Sequence, residues 1–451
     1  MYNEKIIQYI DYMQPDMLEA LAGFIKIPSI SADKQQVTEA LTYALNLGRD
    51  LGFEAHSYLD NQVGVIEIGH GDETLGILSH VDVVAPGDMK KWNTPPFQAV
   101  IKNEKIFGRG AIDDKGAIIA SLYAMKAVLN LGFPLCKKIQ LILGTQEEVE
   151  WTDMDAYVKQ FPLPDYGFTP DGEFPLCNIE KGCMDITIEF PLGCISKDAG
   201  SLVSISAGTA ANIVPGLCTA EIMENTDGVL VPCTHKALGR AVHSCQPEKG
   251  QNAIFNMAKH LSNLTLKQNR LLDLVYMINE KFSDLNGTAL GLYSQSEYYN
   301  EEFVHRNVFT PTILNVENNI ATLIVNVRYS YGTNAQDIIN RFEDLAKYYG
   351  GSLTSFTNLP AVYVSKDRPF MQAFAKAYDQ VSGRKNEFVL AYGGSYAKAM
   401  PNIVSWGPIF PEDEDTCHEE NEYISIKSLM DNSKIFGVAI SEIILSGKSF
   451  R

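Results

Sequence analysis

The segment ILSHVDVV, residues 77–84, begins as an apolar run suited to the inside of a sheet and then presents His80 and Asp82, two residues apart. Other ionisable groups follow apolar runs in the same way. Glu147 and Glu148 come after IQLILGTQ, Asp171 after YGFTP, and His418 downstream of NIVSWG, while Asp113 sits in the loop GRGAIDDKG ahead of a helical stretch. In layered α/β domains ligands gather outside the carboxyl ends of the strands, so these spacings direct the side chains toward one rim. Crowded carboxylates repel and take up protons unless a cation holds them apart. Imidazole mixed with carboxylate suits borderline divalent metals, and two histidines with three or more carboxylates are too many for one tetrahedral zinc. A carboxylate shared between two metals would use them all. Singly, each residue has an ordinary explanation: H-x-D pairs are mostly structural, Asp-Gly is turn chemistry, and paired Glu or an acidic loop around His418 is commonly solvated. Their joint order is what points to chemistry.

The rest of the composition bounds the setting. A chain of 451 residues exceeds one ordinary core and predicts two domains. With 45% hydrophobic and 20% charged residues it is globular in composition, and a formal net charge of -18 opposes non-specific nucleic-acid binding. The start, MYNEKIIQYIDYM, mixes charges into an amphipathic pattern, and no apolar run approaches the roughly 18 residues of a membrane span. A cytoplasmic protein without membrane association is expected. Eight cysteines, at 136, 177, 183, 194, 218, 233, 245 and 417, form no C-x-x-C pair and are expected to be reduced thiols. The metal site must then be built from His, Asp and Glu.

Helical spacing covers residues 4–26 and 36–51, the latter stopped by Gly52; QVGVIEIG and LGILSHVDVV follow as strands, DDKGAIIASLYAMKAVLNLG as a helix and KKIQLILGTQEE as a buried strand. This alternation predicts an α/β/α layered domain. After about residue 184 short strands (MDITIEFPL, SLVSISAG, TAEIM) and helices (NAIFNMAKHLSNL, NAQDIINRFEDLAKYYG) suggest an α+β insertion, and α/β character returns from about 366. The expected organisation is a catalytic domain in two parts, 1–183 and 366–451, interrupted by a second domain over 184–365.

SHVDVV, WNTPPF, GRGAIDDKG, TQEE, PDGEFP and the late His418 together resemble the aminoacylase and carboxypeptidase superfamily of two-zinc hydrolases, over nearly the whole chain. DDKG, PDGEFP, YGGSYAKAMPN and FPEDEDTCHEENEY are most similar to its PepV-type dipeptidase branch. The resemblance implies a three-layer α/β/α zinc-exopeptidase domain with an α+β lid. It implies that His80, Asp113 and Asp171 bind one zinc and Asp113, Glu148 and His418 the other, with a cis peptide after the bridging Asp113. Manganese or cobalt would suit the same ligands. Asp82, two residues from His80, can accept a hydrogen bond from its second ring nitrogen and fix the tautomer. Glu147 is expected as general base and then acid.

GRAVHSCQPEKGQNAI resembles the lid segment of this family, and the resemblance implies His243 as a partner for the oxyanion and Asn212 with Arg328 as residues that hold the substrate carboxylate. Gly393 and Gly394 offer backbone to the same carboxylate. The resemblance to PepV-type enzymes implies that the long insertion supplies its own lid contacts, so a monomer is expected. The expected activity is hydrolysis of dipeptides. An N-acyl amino acid deacylase or desuccinylase with the same dinuclear site is the enzymatic rival, and a fold kept for binding without catalysis is the rival of another class, opposed by the intact Glu147 and ligand set.

Overall fold

The computed structural model describes residues 2–293 and 297–451. Two compact units result: one takes the chain through Ile179 together with Tyr363–Val389 and Ser395–Arg451, the other Glu180–Val362 with Leu390–Gly394.

The first unit is built on a sheet in the order Glu54–Tyr58, Val63–Gly69, Lys138–Gly144, Thr74–His80, Tyr166–Thr169, Ile403–Ser405, Cys177–Glu180 and Val362–Tyr363, with Val389–Ala391 also pairing to Cys177–Glu180. Its centre is parallel: Thr74–His80 runs parallel to both Lys138–Gly144 and Tyr166–Thr169, which in turn runs parallel to Ile403–Ser405. Parallel strands covered on both faces need continuous apolar runs rather than alternation, and Leu75 through His80 are all buried. Helix Ile426–Ile444 packs on Lys115–Leu129, Pro369–Ser382 and Tyr2–Tyr12, while Lys34–Asp50 packs on Glu54–Tyr58 and Val63–Gly69. The architecture is a three-layer α/β/α domain interrupted by an α+β domain.

Local signals set the helix ends. Asp33 accepts from the backbone N–H groups of Gln35 and Gln36 at 3.2 Å, and Ser425 Oγ from Ser428 N at 2.9 Å, each satisfying donors that a helix start leaves unpaired. The single helix expected over 4–26 is two, Tyr2–Tyr12 and Gln14–Ile25, because Pro15 cannot continue the first helix but suits the first turn of the second.

The second unit carries an antiparallel sheet in the order Val229–Leu238, Leu217–Thr226, Leu202–Ala207, Val308–Glu317, Ile320–Tyr329, Gly182–Pro191 and Ser352–Leu359. Gly182–Pro191 alternates buried and part-exposed residues, as a strand with one covered face should. Helices Ala253–Leu261, Arg270–Phe282 and Ala335–Tyr348 supply the cover, each started by an asparagine cap: Asn252, Asn269 and Asn334.

Candidate metal centre

The five candidate metal ligands, with Asp82 and Glu147, all belong to the first unit. Thr74–His80 delivers His80 at its carboxyl end, buried to 1% exposure. Lys138–Gly144 ends just before the turn that carries Glu147 and Glu148, and Tyr166–Thr169 just before Asp171. Asp113 lies immediately ahead of helix Lys115–Leu129, and the Asp113–Asp114 peptide is cis. His418 comes from the loop before Tyr423–Ser425, with its backbone in the left-handed region at φ 64°.

One carboxylate faces both imidazoles. Asp113 Oδ1 is 3.0 Å from His80 Nε2, and Asp113 Oδ2 is 3.0 Å from His418 Nε2. Around His80, Asp171 Oδ2 stands 3.9 Å from the same Nε2, and His80, Glu147 and Asp171 offer ligand atoms within 4.8 Å of one another. Around His418, Glu148 Oε2 is 3.1 Å from Nε2, and Asp113, Glu148 and His418 form the second such group.

Several of these atoms are ill served by hydrogen bonds. His80 Nε2, Asp113 Oδ1 and Glu148 Oε1 are buried yet have no hydrogen-bond partner among the described residues, although the first two are 3.0 Å apart. His80 Nε2 and Asp113 Oδ1, which converge without such a bond, fit a shared cation. The electrostatics agree. Burial and the Asp113 charge push Asp171 up to about 7, and burial with Asp171 pushes Glu147 well above the usual carboxylate range. Glu148 is raised by burial and by Asp113. Against its own burial, Asp113 is held well below its ordinary value by His418 and His80. Hydrogen bonding to Asp113 and Glu148 lifts His418 to about 11. A cluster this negative favours bound positive charge, and its nitrogen and oxygen donors fit a pair of borderline divalent ions.

Asp82 ties the two halves together. His80 Nδ1 lies 3.0 Å from the Asp82 backbone carbonyl and 3.4 Å from its Oδ1, so the main chain shares with the carboxylate the task of holding the ring. With the proton on Nδ1, Nε2 is left as the ligating nitrogen. The Asp82 carboxylate also accepts from Glu147 N at 3.2 Å, Glu148 N at 3.4 Å and Ser31 Oγ at 2.7 Å.

Three supporting residues were missed from the sequence. Glu422, fully buried, pairs with Arg109 and accepts from the backbone N–H of Gly110, Ile112 and Asp113 at 3.1, 3.0 and 3.3 Å, so it shapes the loop that presents Asp113. Asp153 accepts from Thr145 N and Gln146 N and from the Tyr396 hydroxyl, fixing the turn that carries the glutamates, while the Tyr396 ring meets His80 edge-on. Asp114, just ahead of helix Lys115–Leu129, accepts from Ser79 Oγ and from His80 N with its carboxylate and makes no cap bond. The signal for Glu422 was present, an acid beside the acidic loop, but acids there read as solvated.

The remaining candidates lie in the second unit. Arg328, 5% exposed, donates from Nε to Asn326 Oδ1 and from Nη1 to the Tyr392 carbonyl, both at 3.1 Å. Asn326 Oδ1 also accepts from Ser244 Oγ, next to His243, and Ser244 N donates to the Asn212 carbonyl at 2.8 Å. The structure therefore brings Asn212, His243 and Arg328 into one neighbourhood; partial desolvation and the Arg328 charge hold His243 below the ordinary imidazole range. Gly393 and Gly394, exposed, follow Tyr392 directly.

Residues 76–442 match Peptidase family M20/M25/M40, and the chain belongs to this family. It is 31% identical over 460 residues to "Putative dipeptidase YtjP" of Bacillus subtilis (strain 168), covering 95% of this chain and 97% of that one. Among solved structures, human carnosine dipeptidase 1 superposes with a TM-score of 0.64 at 16% identity, over 98% of both chains. The dipeptidase Dug1p of Saccharomyces cerevisiae does so with a TM-score of 0.62 at 15% identity, over 97% of this chain and 98% of that one.

Proposed function

We propose that this chain is a metal-dependent dipeptidase with a dinuclear centre bridged by Asp113. The observation that carries this reading is the pair of 3.0 Å approaches from Asp113 to His80 and to His418. His80 and Asp171 would hold one ion, Glu148 and His418 the other, with zinc the first candidate and manganese or cobalt compatible with the same donors. Two such ions, when bound, supply Lewis acidity toward the scissile carbonyl and lower the pKa of an attacking water.

Glu147 takes the water's proton. Its carboxylate neighbours and its burial make it a stronger base than an ordinary glutamate, which suits a group that accepts a proton and then returns it to the leaving nitrogen. Asp82 keeps His80 in the ligating tautomer and fixes the backbone of Glu147 and Glu148. To the second unit, acting as a lid, we assign substrate recognition on chemical grounds: His243 donates toward the developing oxyanion, while Arg328 and Asn212, with the backbone of Gly393 and Gly394, hold the free carboxylate of the dipeptide. Closure of the lid would exclude water and limit peptide length. No disulfide joins the cysteines among the described residues, which fits a reducing, cytoplasmic setting, and the expected assembly is a monomer.

Comparing turnover of alanine-containing dipeptides with that of N-acetyl and N-succinyl amino acids tests the substrate class. Dipeptide hydrolysis should dominate, and rapid deacylation without dipeptide turnover would transfer the site to the rival chemistry.

A further inference from the structure

Outside the candidate centre, one other set of metal-binding side chains converges among the described residues: Glu224, Cys233 and His235 in the second unit, whose ligand atoms lie within 4.8 Å of one another. They come from the paired strands Leu217–Thr226 and Val229–Leu238, the second of which is the edge of its sheet. Ile222 stands opposite Cys233 and Ala220 opposite His235. Residues two apart on a strand share a face, so Glu224, two beyond Ile222, projects to the same side as Cys233 and His235. His235 uses both ring nitrogens. Nε2 is 3.4 Å from Glu224 Oε1, and Nδ1 is 3.0 Å from Nε2 of His260, in the last turn of helix Ala253–Leu261, which packs on both strands. A cavity of ≈ 280 Å³, lined in part by Glu224, His235, Ile222 and Leu266, opens beside the group.

We propose that Glu224, Cys233 and His235 bind a single divalent transition-metal ion of the zinc type, separate from the dinuclear centre. Thiolate, imidazole and carboxylate are the donors zinc takes, and bonds of roughly 2.0–2.3 Å to a tetrahedral ion put donor atoms about 3.3–3.8 Å apart. The 3.4 Å between His235 Nε2 and Glu224 Oε1 falls in that range. His260 is a positioning residue: accepting the Nδ1–H of His235, it fixes the tautomer that leaves Nε2 free to ligate. Binding releases the Cys233 thiol proton to solvent. Three protein ligands leave a fourth position for water, and the ion cross-links the edge strand to its neighbour.

Cobalt(II) titration of the metal-free full-length chain tests this, because a thiolate-to-cobalt charge-transfer band requires a cysteine ligand and the five ligands of the dinuclear centre include none. The band should saturate at one cobalt per chain. Cys233→Ser should abolish it and lower the total cobalt bound by one per chain, with dipeptide turnover within about twofold of the parent. His235→Ala, which keeps the thiol, should weaken the band's cobalt affinity at least tenfold, the order expected for a disturbed ligand set. Cys417→Ser, beside His418, should leave the band intact. No band, or a band that Cys417→Ser removes and Cys233→Ser spares, overturns the proposal.

Discussion

Asp113 is useful because its two oxygens are separately engaged, one toward each histidine, and that division fixes what each neighbour can do. Glu148 and His418 face one oxygen and His80 the other, while Glu147 and Asp171 belong to the His80 group, and the proton transfer proposed for Glu147 is open to direct test. Glu147→Ala should lower kcat by about 10²–10⁴-fold, the usual contribution of a general acid–base, with metal content unchanged by elemental analysis; unaltered turnover would remove Glu147 from this role. His418 sits in a loop with its side chain 57% exposed, so its loss should not unfold the chain. His418→Ala is expected to reduce bound metal toward one ion per chain, measured after dialysis against buffered zinc. At this scale the sequence was informative: histidine and acids at the ends of apolar runs announce themselves by type and place. What it could not show was that the Asp82 main-chain carbonyl approaches His80 more closely than its carboxylate does, because backbone partners leave no mark on residue type.

Elements position these groups through buried acids that never touch the ligand atoms. Glu422 gathers three backbone N–H groups of the Asp113 loop and the Arg109 guanidinium, and Asp153 does similar service for the turn after Lys138–Gly144. Removing one partner of a buried ion pair leaves the other uncompensated, at a cost of about 3–5 kcal/mol; Glu422→Gln should destabilise the chain by that order in urea unfolding, and a change within error would show that the pair carries no such weight. A second buried charge gives a pH signature. Lys181, at the entry to Gly182–Pro191, is fully buried, and burial together with Arg328 brings it down to about 7. Between that value and its ordinary one the unfolded chain holds the proton more tightly, so stability rises with pH over this window and the deficit is full below it. Thermal unfolding of Lys181→Met should therefore vary less between pH 7 and 9 than that of the parent. Parallel strands such as Thr74–His80 were legible because buried runs of four to eight apolar residues have few other uses. Val229–Leu238 was not, since an exposed edge strand carrying Pro232 shows neither alternation nor a continuous apolar run. The bonds of Asp114 to strand Thr74–His80 left no mark in the sequence, because an acid ahead of a helix looks the same whichever element it serves.

At the scale of the molecule, the proposed division of labour follows the division of the chain. All proposed metal ligands and the proposed base lie in the α/β/α unit, whereas His243, Asn212, Arg328 and the two glycines lie in the α+β unit. The change from parallel buried strands to alternating antiparallel ones marked the inserted unit in the sequence, because one-sided cover changes the hydrophobic period. The return of Leu390–Gly394 to the second unit carried no such mark: five residues are too few to show a period. If the insertion supplies its own lid contacts, light scattering should give the mass of one chain during turnover, and an obligate dimer would contradict that assignment. The central claim is narrower. Anomalous diffraction from crystals of the metal-loaded chain should give two peaks about 3.5–4 Å apart, both in contact with Asp113, one also with His80 and the other with His418. A single peak, or a pair that Asp113 does not touch, would contradict the account.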